Sequence, residues 1–144
     1  MKTLVAAIII FLNLSTIHWE QNFENAQREA QLSGKYILLN FSGSDWCAPC
    51  IKLKKDIFES AEFEQYASNH LVLVKADFPR LKKNQLPAAQ TTHNESLAER
   101  YNPQGKFPLT LLLDSNGKIL QEWEGYPRGL TTEGFIKEIG KYAH

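Results

Sequence analysis

The sequence predicts an α/β domain with a central mixed sheet, a parallel βαβ unit plus an antiparallel β-hairpin, flanked by helices. Three observations carry this. Short apolar, β-rich runs alternate with segments of helical period, the pattern of parallel strands joined by crossover helices. The last two strands are separated by Asp114-Ser115-Asn116-Gly117, a hairpin signal suited to positive φ. The chain's only two cysteines, Cys47 and Cys50, fall where the first strand gives way to a helix.

In order along the chain, residues 20–34 read as a helix, with Phe23, Ala26 and Ala30 near one face and Ser33-Gly34 as a stop. Tyr36 to Phe41 is a buried strand, Ser42-Gly43-Ser44 a turn, and a helix follows from about Ala48 to Phe58. Ser60 is a candidate N-cap for a helix carrying Phe63, Tyr66 and Ala67, which Asn69-His70 ends. Leu71 to Ala76 is a second central strand, broken by Asp77-Phe78-Pro79. Residues 80–95 are polar and irregular and read as an insertion or long loop that includes His93. Glu95 to Tyr101 is a short helix. Leu109 to Leu113 and Lys118 to Glu124 form the closing strands, and Thr131 or Thr132 caps a last helix with Phe135, Ile136 and Ile139.

A chain of 144 residues is long enough for one domain, and 43% hydrophobic content supports an ordinary core. Sixteen basic residues balance sixteen acidic ones, which argues against a general nucleic-acid binder. The N-terminus stands apart. Met1-Lys2-Thr3 is a short basic start, and Leu4 to Leu14 is apolar except for Asn13. That run is short of the about 20 residues a transmembrane helix needs. Residues 1–19 therefore read as a signal peptide or an N-terminal anchor, and residues 20–144 as one domain. No cleavage site is evident between Ser15 and Glu20. Any membrane association runs through that segment alone.

Export places the cysteines in a disulfide-permissive compartment. Yet a Cys-x-x-Cys pair closes a very short loop and is a weak staple, so the pair is better suited to chemistry. A cysteine at a helix N-terminus has backbone N–H groups and the helix dipole to favour its thiolate. Zinc is the competing use. It would require four ligands, and His70 and His93 are too far apart in sequence for a ligand pair, so no metal site is expected.

The run Trp46-Cys47-Ala48-Pro49-Cys50 after a buried strand resembles the thioredoxin superfamily. The stretch from Trp19 through Phe23, Ala26, Ala30 and Gly34-Lys35 to Phe41-Ser42-Gly43-Ser44-Asp45 resembles exported thioredoxin-like single domains of the type fused to bacterial membrane reductases. The resemblance implies a thioredoxin fold over most of the chain after the leader. It implies Cys47 as nucleophile and Cys50 as resolving cysteine. It implies that Trp46 covers the site, that Pro49 limits the helix start, and that Pro108 is a cis-proline facing the disulfide. Phe107, just before it, would offer its backbone to a substrate strand. Two positions depart from the family pattern. Asn40 stands where the family commonly has a buried acid, and Asn cannot accept the Cys50 proton, which leaves water or a Glu or Lys from elsewhere. Ala48 stands between the cysteines where Gly is common.

The implied function is a thiol:disulfide oxidoreductase acting on protein disulfides, exported to the periplasm or envelope, with no bound cofactor. No charged or His residue lies between the cysteines, which leans toward a reductase. A membrane thiol reductase is the implied electron donor. A disulfide isomerase or oxidant, and a thioredoxin-like binding or folding-assistance module, are the alternatives.

Overall fold

The computed structural model describes residues 17–143. Most of the leader reading, residues 1–16, lies outside them. The sheet has five strands in the order β1-β3-β2-β4-β5. These are β1 (Trp19–Glu20), β2 (Tyr36–Ser42), β3 (Leu71–Asp77), β4 (Leu109–Leu113) and β5 (Ile119–Glu124). The helices are α1 (Phe23–Ser33), α2 (Ala48–Leu53), α3 (Ala61–His70), α4 (Ala88–Tyr101) and α5 (Thr132–Gly140). A π-helical turn, Lys54–Phe58, extends α2, and a 3₁₀ turn, Lys82–Asn84, follows β3.

Strand β2 is the centre. Its pleat sends Ile37, Leu39 and Phe41 to one face, where they pack with Phe23 of α1 and Leu97 and Tyr101 of α4. Leu38 faces the other way, into a core with Leu53 of α2, Phe63 of α3 and Phe135 and Ile139 of α5. Both faces are covered, which is why β2 and β3 read as continuous apolar runs. Asn40 and Ser42 share the parity of Leu38, on the α2 side of the sheet, and are buried.

Three expectations change. The first helix starts at Phe23, not Glu20, because the Asn22 side chain caps it by accepting from Asn25 N at 2.8 Å. Ahead of that cap, Trp19 and Glu20 pair in parallel with Leu73 and Val74 as an edge strand. Residues 80–95 are not loop throughout. Helix α4 begins at Ala88, after Pro87. Its first half carries β-branched Thr91 and Thr92 and little apolar periodicity, so tertiary contacts rather than propensity hold it there. Buried Asn94 donates to the Asp77 backbone O at 3.0 Å, and His93 accepts from the Phe23 backbone N–H at 3.1 Å. His93 thus helps to cap α1 and does not lie in a solvated loop.

The third change is in strand direction. A helix separates β3 from β4, yet β4 runs antiparallel to β2, with Phe41 opposite Leu109. The end of β3 (Asp77 opposite Ser42) and the start of β4 lie at the same end of β2. The α4 connection therefore returns to the end of the sheet it left, and β4 must run back. The hairpin β4–β5 forms as expected, with Gly117 at φ 83° in its turn.

Candidate active site

The site is built where β2 ends. The Gly43 carbonyl accepts from Trp46 N at 3.2 Å and Cys47 N at 2.9 Å, closing a tight turn. Asp77, at the end of β3, fastens that turn by accepting from the Ser44 backbone N–H at 2.9 Å and from the Ser44 hydroxyl. Cys47 is the N-cap of α2 with extended backbone (φ −96°, ψ 99°), and its Sγ accepts from Cys50 N at 3.3 Å. The two cysteines are joined as a disulfide with Cα atoms 5.2 Å apart. Cys47 is 5% and Cys50 3% exposed, so accessibility barely separates them. What separates them is position, since Cys47 caps the helix and Cys50 lies one turn inside it.

Trp46 is packed on several sides. Its Nε1–H donates to the Phe78 carbonyl at 2.7 Å. Its ring meets Phe107 edge-on at 5.4 Å between centroids, and Phe78 meets Phe107 at the same separation. The Arg80 guanidinium lies 3.7 Å from the Trp46 ring centroid. The Phe107–Pro108 peptide bond is cis. Gly125, after β5, donates its N–H to the Pro108 carbonyl at 2.8 Å, so this glycine with φ 69° brings the β5–α5 loop against the Pro108 segment. Buried Asn102 holds the approach to Phe107 at two points, accepting from Lys106 N at 2.9 Å and donating to Lys106 O at 2.8 Å. Pro49 is exposed on α2 and borders a groove of about 520 Å³ shared with Ala48, Lys52 and Tyr126 to Leu130.

The structure thus brings Trp46, Cys47, Cys50 and Phe107 to one end of the sheet, with Pro49 and Pro108 flanking them. Asn40 is 5% exposed and donates to Thr110 Oγ1 at 3.0 Å. Asn40 lines a cavity of about 300 Å³ together with Lys54, Glu59 and Lys75. Among the described residues, no cluster of three or more His, Cys, Asp or Glu could hold a metal ion.

Residue-level reading of the sequence missed Asp45. Its carboxylate accepts from the backbone N–H of Arg80 and of Leu81, each at 2.9 Å, and from Asn84 Nδ2 at 3.0 Å. It latches the loop after β3 to the turn that carries Cys47. The Arg80 N–H above all, with Asn84 and Leu81, holds the Asp45 carboxyl below its ordinary value, against an opposing push from desolvation. The latch therefore contributes stability that is present above the unfolded carboxyl value of about 3.9 and is lost as pH falls through the lowered folded one. We expect the stability difference between wild type and Asp45→Ala to be flat from about pH 5 to 8 and to shrink below about pH 4, read by urea unfolding. A difference that shrinks above pH 5 would contradict this assignment.

The family model "Thioredoxin-like domain" matches residues 23–139. The chain belongs to the thioredoxin-like family. Its sequence is 36% identical over 115 residues to the disulfide bond reductase DsbH of Chlamydia pneumoniae, covering 80% of this chain and 67% of that protein. A solved structure of a DsbH oxidoreductase superposes with a TM-score of 0.76 at 34% identity, over 89% of this chain and 87% of the other. A thioredoxin from Thermus thermophilus superposes at 0.64 with 16% identity, over 87% and 85%, a likeness of fold alone. The thioredoxin fold, the family and the bonded Cys-x-x-Cys pair together mark a thioredoxin-like disulfide oxidoreductase. Among the described residues, no helix is long and apolar enough to cross a membrane.

Proposed function

We propose that the chain reduces disulfides in exported proteins, with Cys47 as nucleophile and Cys50 as resolving cysteine. The observation that carries this is the disulfide-bonded pair at the start of α2, beside Phe107 and Pro108. In the reduced protein the Cys47 thiolate is favoured by the N–H of Cys50 and the helix N-terminus. It attacks one sulfur of a substrate disulfide. The substrate S–S bond breaks, a mixed disulfide forms, and the leaving thiolate takes up a proton. Cys50 then loses its proton and attacks Cys47 Sγ. The mixed disulfide breaks, the second substrate thiol leaves, and the Cys47–Cys50 disulfide remains. Two electrons pass to the substrate.

Substrate positioning falls to Trp46, Pro49, Phe107 and Pro108. The backbone N–H and C=O of Phe107 take no hydrogen bond among the described residues, which leaves them free to pair with an extended substrate segment. Return to the dithiol form requires a second thiol donor, for which a membrane thiol reductase is the proposed source. No resident cofactor is needed. Asn40 does not serve as the proton acceptor for Cys50, since an amide does not titrate in this range.

The reductase direction is favoured by Ala48-Pro49, which brings no charge to the thiolate, and by the likeness to a disulfide bond reductase. A reduction potential measured against glutathione should fall near about −270 mV, whereas about −120 to −180 mV would point to an oxidant or isomerase. For the compartment we propose export through the N-terminal leader read within residues 1–19. Trp19 pairs with Leu73 in the sheet, so a processed chain would keep it.

A further inference from the structure

Resting on the reading that the chain reduces protein disulfides, we propose that Arg80 determines specificity by receiving an acidic side chain of the substrate polypeptide beside the target disulfide.

The loop after β3 is built to place this residue. Asp45, two positions before Cys47, spends its carboxylate on the backbone N–H groups of Arg80 and Leu81 and on Asn84. It therefore fixes where the Arg80 backbone sits and does not pair with the Arg80 guanidinium. The guanidinium lies over Trp46 at 3.7 Å. Trp46 is itself tied to the Phe78 carbonyl and packed against Phe107, the residue before Pro108. The Arg80 side chain is thus ordered by stacking on a ring that belongs to the site.

Stacking uses the face of a guanidinium and leaves the N–H donors on its edge available. Among the described residues, no carboxylate forms an ion pair with Arg80, and no oxygen accepts from its guanidinium. Most of the entropy cost of ordering the side chain is met within the protein itself, while its bidentate donors lack a partner. That is a preorganised receptor for a planar anion. A substrate of this reaction is a polypeptide, and its planar anions are Asp and Glu carboxylates. Lys82 and Lys83 follow on the same exposed loop, neither in an ion pair among the described residues, and extend the positive field in that direction. On the opposite flank, Lys52 is offset by Asp56 at 3.5 Å and lies over Tyr126. Arg128 borders the same groove as Lys52 and is in no ion pair among the described residues, so positive charge lies on both flanks, and what singles out Arg80 is its stacking on Trp46.

The test uses two synthetic disulfide-bonded peptides of the same length, with Glu or with Lys flanking the cysteines. Each rate is divided by that of the same peptide with dithiothreitol, which removes intrinsic reactivity. In the wild-type protein the acidic peptide should show a kcat/KM about fivefold higher than the basic one at low salt, as expected for one exposed ion pair, with the difference in KM. The ratio should fall toward one as salt rises. Arg80→Ala should bring it close to one, Arg80→Glu should reverse it, and Arg80→Lys should restore only part, since an ammonium lacks the fork. Arg80 is exposed, and circular dichroism with thermal melting checks that the variants remain folded. Equal use of both peptides by the wild type, or a preference that survives Arg80→Ala, would overturn the assignment and leave the reductase reading standing. Reduction of neither peptide would instead count against the reductase reading, and this proposal would fall with it.

Discussion

Cys47→Ser should remove disulfide reduction, lowering the rate by about three orders of magnitude or more, because a hydroxyl at this position supplies no thiolate and cannot form the mixed disulfide. Cys50→Ser should behave differently. The nucleophile remains, the first exchange proceeds, and the complex is held because nothing attacks Cys47 Sγ from within. Substrates should then accumulate as covalent adducts on non-reducing gels and be released by dithiothreitol. Both variants lose the disulfide that joins Cys47 to Cys50. That bond closes a very short loop, so its loss by itself should not unfold the domain. Insulin reduction measures the first effect and adduct formation the second. Substrate reduction by the Cys47→Ser/Cys50→Ser double variant would sink the redox assignment. Full turnover by Cys50→Ser alone would exclude it as the resolving group.

Gly43→Ala should be the most damaging single-methyl change near the site. A Cβ there would lie under 3.0 Å from Cε2, Cζ2 and Nε1 of Trp46. The indole has little room to retreat, with Arg80 over its ring, Phe107 at its edge and Nε1 bonded to the Phe78 carbonyl. The effect is steric, since Gly43 is not among the glycines with positive φ. Its carbonyl also accepts from the N–H of Trp46 and Cys47, so a shift at Gly43 moves the nucleophile as well as the cover. Overpacking of this kind costs about 1–3 kcal/mol. Misplacement of a reacting group by about 1 Å can cost about a hundredfold in rate. We expect a lower urea midpoint and a kcat/KM reduced at least about tenfold. Wild-type values in both would show that Trp46 can move without consequence.

Strands β2 to β5 and four of the five helices were legible because their signals are local, whereas the two-residue edge strand β1 is too short to leave a pattern. Leu71 to Ala76 reads as a buried strand from β-branched and apolar density, and Ser60 and one of Thr131 and Thr132 read as caps from residue type, the second being Thr131 in the structure. Both caps are present, accepting from Phe63 N at 3.2 Å and Gly134 N at 3.0 Å. The redox pair and Trp46 were legible as a motif. The first half of α4 was not, because its positions are set by contacts such as Asn94 with Asp77, across 17 residues. Nor was the role of Asp45 legible. Its partners lie 35, 36 and 39 residues further on, and a hydrogen bond between two loops leaves no periodicity to find. The same holds for Arg80, whose stacking on Trp46 depends on that latch. An acid two residues before Cys47, followed by a basic segment after the next strand, is the sequence pattern that accompanies the pairing.

Strand β2 lies third of five in the sheet, with β3 along one edge and β4 along the other. The turn that carries Cys47 hangs from this strand, while the short β1 and the half-exposed β5 form the borders. Openings that begin at the borders of a sheet need not reach its middle. The chain can therefore fray at Trp19–Glu20 or along β5 while the turn below the disulfide keeps its frame. The redox pair is anchored in the part of the molecule that local unfolding reaches last.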